Sequence, residues 1–199
     1  AVNSSVMIQS MHPEDGISTG SGNLVSINGE KVILTAYHVI KDGLFMIAIE
    51  KNQNVVSAEV IYYDETKDIA VLKTSKPLSV TSAVKFRQKN NNHVGKTVYH
   101  CGHPSVVDFN LSRGMITSYA PGYLVTDSFS LPGSSGSVVF GEKGDVVGIV
   151  TAIAVGKWFD SPQLIDNVVM VSPIDYLDIQ GISEALENAT HRIESGDNN

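Results

Sequence analysis

Apolar positions along the 199-residue chain come in short bursts rich in Val, Ile, Thr and Tyr, each cut by Gly, Asn, Asp or Ser. That rhythm predicts strands rather than helices. Leu24–Ile27, then Asn28-Gly29, then Lys31–Thr35 predicts a tight hairpin, because Asn-Gly accepts the positive φ angles of a two-residue turn. Further strands are predicted over 44–50, 54–63, 69–73, 94–101, 111–119, 122–127, 137–141, 145–155 and 167–172. The pair flanking Gly141–Asp145 forms a second predicted hairpin. No helical period of useful length occurs before residue 173. Pro173 is predicted to open a helix running to about 193, interrupted near Gly181, with Gly196–Asn199 as a frayed tail.

The polar stretch Lys85–Asn92 ends in three consecutive asparagines and divides the strands into two groups. It is expected to link two β units, residues 1–84 and 93–199, giving an all-β chain of two antiparallel barrels or sandwiches with a terminal helix. No internal repeat is visible.

With 42% hydrophobic and 18% charged residues, the chain can build a substantial core. A net charge of −7 without a basic cluster argues against a nucleic-acid partner. No apolar run is long enough to span a bilayer, and the opening residues AVNSSVMIQS carry no charged-then-apolar leader. Cys101 is alone, so no internal disulfide is expected; that favours a reducing compartment such as cytoplasm, while a disulfide-free exported protein is also compatible with it.

Gly133-Ser134-Ser135-Gly136-Ser137 precedes an apolar run and offers two candidate nucleophiles. A serine hydroxyl needs a base, usually histidine, and that histidine needs a carboxylate to hold its tautomer. Of His12, His38, His93, His100, His103 and His191, His38 stands out because it follows the apolar strand Val32–Ala36. Asp68 stands at the mouth of the apolar run Ile69–Leu72.

Together, Thr35-Ala36-Tyr37-His38, Asp68-Ile-Ala-Val-Leu72 and Gly133–Ser137 resemble the His, Asp and Ser motifs of the chymotrypsin-like serine proteases, in that family's order. The resemblance extends to the disulfide-free, HtrA-like trypsin-fold peptidases through Gly20–Val25, Val98–Pro104, Ser112–Ser118 and Val147–Ala152. It implies two six-stranded antiparallel β-barrels carrying a catalytic triad of His38, Asp68 and Ser135. The first barrel would supply His38 and Asp68, and the second Ser135. It also implies an oxyanion hole from the Gly133 and Ser135 N–H groups, and no cofactor. By the same resemblance Phe129 lies at the base of the primary specificity pocket. Thr151, Ala152 and Ile153 would form the edge strand that pairs with an extended polypeptide substrate. Phe129 and Ile153 then suggest an apolar or shallow pocket.

Two departures matter. Ser134 replaces the aspartate that receives the new amino terminus in digestive members, so activation of that type is not expected. Ser137 replaces the second glycine, and Gly-x-Ser-Gly-Ser resembles some viral polyprotein-processing proteases, which would place the protein in a host cytoplasm. His100, Cys101 and His103 could suggest a metal site, but neighbours on a strand face opposite ways, so strand and turn is the expectation. Trp158-Phe159 is expected to pack, His12 and His191 to be solvated, and the terminal helix to act as a strut. Two non-enzymatic readings compete: a catalytically silent trypsin-fold peptide-binding module, and a structural β protein.

Overall fold

In a computed structural model, the described residues are 1–14, 16–80, 84–85, 94–104, 107–158 and 161–195. Thirteen strands and two α-helices account for most of them. The first strands are β1 (Ser5–His12), β2 (Gly16–Ile27), β3 (Glu30–Thr35), β4 (Phe45–Ile49), β5 (Val55–Asp64) and β6 (Ile69–Thr74). They pair antiparallel in the order β1-β4-β5-β6-β3-β2, and β2 closes the ring on β1 from Ser5↔Asn23 to His12↔Gly16. The two-residue β7 (Val84–Lys85) adds to β2 in parallel. A second closed barrel has the order β10-β13-β12-β11-β8-β9. Its strands are β8 (Thr97–Gly102), β9 (Asn110–Ala120), β10 (Tyr123–Thr126), β11 (Val138–Gly141), β12 (Val146–Trp158) and β13 (Ser161–Pro173). The helices are α1 (Tyr37–Ile40) and α2 (Ile179–Ser195). The double-barrel, all-β expectation holds. Apart from Lys85, the predicted linker 85–92 lies outside the described residues.

The hairpins form where the turn chemistry placed them. Asn28 and Gly29 take φ values of 49° and 91° between β2 and β3. Gly144, at φ 75°, helps close the turn in which the Gly141 N–H donates to the Asp145 carbonyl at 2.8 Å.

Three elements differ from expectation. β1 went unpredicted because its inward face mixes Val6 and Ile8 with Ser10, while Met7 and Met11 lie on the other, so polarity hardly alternates. Pro173 ends β13 instead of opening a helix. A 3-10 turn over Ile174–Tyr176 follows, and α2 begins only after Asp178, whose Oδ1 accepts from the Gly181 N–H at 2.9 Å. Gly181 therefore lies inside the first turn of α2 and does not interrupt it.

The larger core is not confined to one barrel. Val6, Ile8, Ile33, Leu34 and Leu72 share it with Ile174, Leu177, Ile182 and Leu186, so the end of the chain covers the barrel that begins it. A smaller core of Val98, Ile116, Leu124, Val139, Val147, Val150, Val169 and Val171 fills the second barrel.

Candidate active site

Val32 to Ala36 are buried, so β3 is held firmly up to the point where the chain turns into α1. Val39 and Ile40 bury the inner face of that single turn, leaving His38 on the outer face with its side chain 45% exposed. Asp68 arrives from the turn before β6. It takes the left-handed conformation, φ 53°, which Asp tolerates better than most residues. One carboxylate oxygen, Oδ1, accepts from the His38 backbone N–H at 2.8 Å, and the other, Oδ2, meets His38 Nδ1 at 2.7 Å. A carboxylate oxygen accepts, so His38 Nδ1 is the donor of this pair and Nε2 is left on the side of the ring away from Asp68. The Asp68 turn is tied to the second barrel as well, because the Ser172 hydroxyl donates to the Lys67 carbonyl at 2.8 Å.

Ser135 sits at the junction of two tight turns. The Ser134 N–H donates to the Leu131 carbonyl at 2.9 Å, across Pro132 and Gly133, and the Ser137 N–H donates to the Ser134 carbonyl at 3.1 Å, across Ser135 and Gly136. Gly133 and Gly136 take φ values of 100° and 88°, which places a glycine at the third position of each turn, as a type II turn requires. Space demands them too. A Cβ on Gly133 would come 2.5 Å from the His103 carbonyl oxygen, and one on Gly136 would run into the Ser21 carbonyl and Thr35 Oγ1. Gly102 packs under Ser134, so the Gly102-His103-Pro104 turn forms the floor of this loop.

The histidine and serine segments meet at Gly20. A Cβ there would lie 2.5 Å from Val39 Cγ1, beside His38, and 3.2 Å from the Ser135 carbonyl oxygen. Ser21, Thr35 and Ser172 were not singled out in the sequence as site residues. Their only sequence signal is a small polar residue beside glycine or at the end of an apolar strand.

Phe129 is 47% exposed. Behind it lie Ser130, 8% exposed, and His100, 1% exposed, joined by a bond of 3.1 Å between Ser130 Oγ and His100 Nε2. Burial drives the His100 pKa down to about 4, against a contact with the Phe129 backbone that pulls it upward. Thr151 is buried and sits at a register break in β12; Ala152 and Ile153 pair with Met170 and Val169 of β13. On its other side, β12 pairs with β11 as far as Ile149, and the Val150 N–H donates to the Ser137 carbonyl at 2.9 Å. Past that point, among the described residues, no strand borders Thr151–Ile153 on that side.

His100 and His103 serve different neighbours. His103 Nε2 lies 2.9 Å from Ser5 Oγ, and its Nδ1 accepts from the Phe109 N–H at 3.2 Å, so the rings do not converge. No metal-binding group of three or more ligands occurs among the described residues. His12 is half-buried, with Nε2 2.9 Å from Ser18 Oγ, instead of simply solvated. The His191 and Trp158 side chains, and all of His93 and Phe159, lie outside the described residues.

Two closed barrels bringing a carboxylate-held histidine and a glycine-fenced serine to their junction define the trypsin-like architecture. The family model for the trypsin-like peptidase domain matches residues 20–149, and the chain belongs to that family. It is 32% identical over 145 residues to a Pseudomonas fulva protein named "Probable periplasmic serine endoprotease DegP-like", covering 68% of this chain and 29% of that protein. It is 31% identical over 167 residues to the anti-sigma-I factor RsgI9 of Acetivibrio thermocellus, covering 81% of this chain and 22% of that protein. The crystal structure of the serine endoprotease from Yersinia pestis superposes with a TM-score of 0.69 at 24% identity, over 98% of this chain and 63% of that one. The chain thus spans less than a third of the length of these two curated relatives. Among the described residues, no helix is long and apolar enough to cross a membrane.

Proposed function

We propose that the chain is a serine endopeptidase in which Ser135 is the nucleophile, His38 the general base and Asp68 the group that orients His38 and stabilises its imidazolium. The observation that carries this reading is the double grip of Asp68 on His38, through the backbone N–H at 2.8 Å and Nδ1 at 2.7 Å. It fixes the tautomer whose Nε2 can take the Ser135 proton. Ser135 Oγ then attacks the scissile carbonyl, and the protonated His38 gives its proton to the leaving amine. Water, deprotonated by His38, releases the acyl group and restores the hydroxyl. The Gly133 and Ser135 N–H groups serve the oxyanion, each contributing on the order of 3 kcal/mol as charge develops. The substrate is an extended polypeptide pairing with Thr151–Ile153, beside Phe129. The units 1–84 and 93–199 act together, each contributing part of one site.

The DegP-like relative supports peptide hydrolysis; viral polyprotein processing, expected from Gly-x-Ser-Gly-Ser and the short chain, finds no support in these relatives. A second reading, a peptide-binding module without turnover, is favoured by one observation: a relative of similar identity is named as an anti-sigma factor. A serine-directed fluorophosphonate separates the two. Labelling that Ser135→Ala abolishes, together with peptide turnover, supports the enzyme. An unlabelled chain that binds peptides without cleaving them supports the module.

A further inference from the structure

We infer that Ser21 is the positioning residue that aims the oxyanion donors, acting on both sides of the nucleophile from the opposite barrel. The inference rests on the assignment of Ser135 as nucleophile. Ser21 is fully buried in β2. Its hydroxyl donates to the Gly133 carbonyl at 2.7 Å and accepts from the His103 N–H at 2.8 Å, so the hydroxyl proton has one direction to point. Its backbone N–H donates to the Ser135 carbonyl at 2.7 Å, and its own carbonyl accepts from Thr35 Oγ1 at 2.7 Å, three residues before His38.

Peptide units are planar, so holding a carbonyl fixes the N–H on the far side of the same plane. The Ser21 hydroxyl holds the Gly133 carbonyl, while the Ser134 N–H of that plane closes the turn onto Leu131. The Ser21 N–H holds the Ser135 carbonyl, while the Gly136 N–H of that plane donates to the Val150 carbonyl at 2.8 Å. Between these two fixed planes lies the one bearing the Ser135 N–H. Its carbonyl, from Ser134, is drawn inward by Ser137 through both the N–H at 3.1 Å and the hydroxyl at 2.7 Å. The Ser135 N–H consequently points the other way. The Gly133 N–H lies in the plane before the first fixed one, and no turn bond claims it, because the turn over 131–134 closes through the Ser134 N–H. A side chain at position 133 would collide with the His103 carbonyl, so only glycine fits this place in the loop. Removing the Ser21 hydroxyl releases the Gly133 carbonyl and leaves its plane to the Ser134–Leu131 turn bond alone, so the Gly133 and Ser135 N–H groups on either side of that plane both lose an anchor.

The experiment compares wild type, Ser21→Ala, Ser21→Cys and Ser5→Ala in peptide hydrolysis and in inhibition by a peptide boronic acid, whose tetrahedral adduct places an oxygen where the oxyanion forms. Ser5 is an equally buried hydroxyl between the barrels; it bonds to the Cys101 carbonyl and to the His103 ring at 2.9 Å each, and makes no hydrogen bond to the Gly133 or Ser135 backbone. Deleting one oxyanion donor costs about 10²–10³ in kcat, so misaiming one is expected to cost about 10- to 100-fold. Ser21→Ala should show that fall with KM within about twofold, and a boronate Ki raised in parallel. Ser21→Cys, close in size and a weak donor, should fall between, and it carries the test should the alanine variant not fold. Ser5→Ala should stay within about twofold of wild type in kcat. Folded Ser21 variants with unchanged kcat and boronate affinity, or an equal loss in Ser5→Ala, overturn the inference. A wild-type chain that neither turns over peptides nor labels at Ser135 overturns the enzymatic reading instead.

Discussion

Mild acid should destabilise this protein through two histidines whose rings take no part in the proposed chemistry. His100 and His103 are 1% and 0% exposed, and burial lowers the pKa of each to about 4. Unfolded, each returns to about 6.5. Below that value the unfolded chain binds protons that the folded chain refuses, so it holds more protons and stability rises with pH. The stability from keeping each ring neutral is complete above about pH 6.5 and is lost progressively as the pH falls toward 4. Each histidine costs about 1.4 kcal/mol per pH unit in that window, roughly 2 kcal/mol each at pH 5. Glu50 acts elsewhere. Burial alone would raise its pKa, but hydrogen bonds from Asn54, Ser79 and Val80 carry it below the ordinary carboxylate value. Its contribution is therefore full above that value and disappears only in stronger acid. Urea unfolding at pH 7.5 and pH 5.0 should differ by about 4 kcal/mol, a midpoint shift near 2 M for a slope of about 2 kcal/mol/M. His100→Leu should remove about half of the difference. A midpoint constant within ~0.5 M across that range would mean that the folded rings take up protons freely, and would refute the reasoning.

Four further outcomes follow from the geometry. Asp68→Asn should lower kcat by about 10⁴ with KM little changed, since an amide can hold the wrong imidazole tautomer, measured by peptide hydrolysis. Gly136→Ala should cost about 2–4 kcal/mol in urea unfolding, from the positive φ and the blocked space against Ser21 and Thr35. Thr35→Val preserves shape but strips the Ser21 carbonyl of its partner, for a loss of about 1–3 kcal/mol in the same assay. Deleting α2 uncovers the sites of Ile182 and Leu186 and should cost roughly 3–6 kcal/mol by calorimetry.

Much of this molecule could be read from its letters, unevenly. Asn28-Gly29 announced its hairpin because a backbone requirement there selects the residue. His38, Asp68 and Ser135 were legible as candidates because each stands beside an apolar strand or between glycines, in an order that resembles a known family. β1 escaped because its buried face contains Ser10, and α2 began late because an Asp178 cap, not Pro173, sets its start. The bonding of Ser21, Thr35 and Ser172 escaped for a deeper reason. Their partners are backbone carbonyls 14 to 112 residues away, and a carbonyl has no letter.

The seating of α2 has a consequence for how the fold comes apart. Ile182 and Leu186 complete a core shared with Val6 and Ile8, so the helix cannot lift away without uncovering the interior of that barrel. Local loosening of α2 therefore opens an apolar seam, the kind of surface through which partly unfolded chains aggregate.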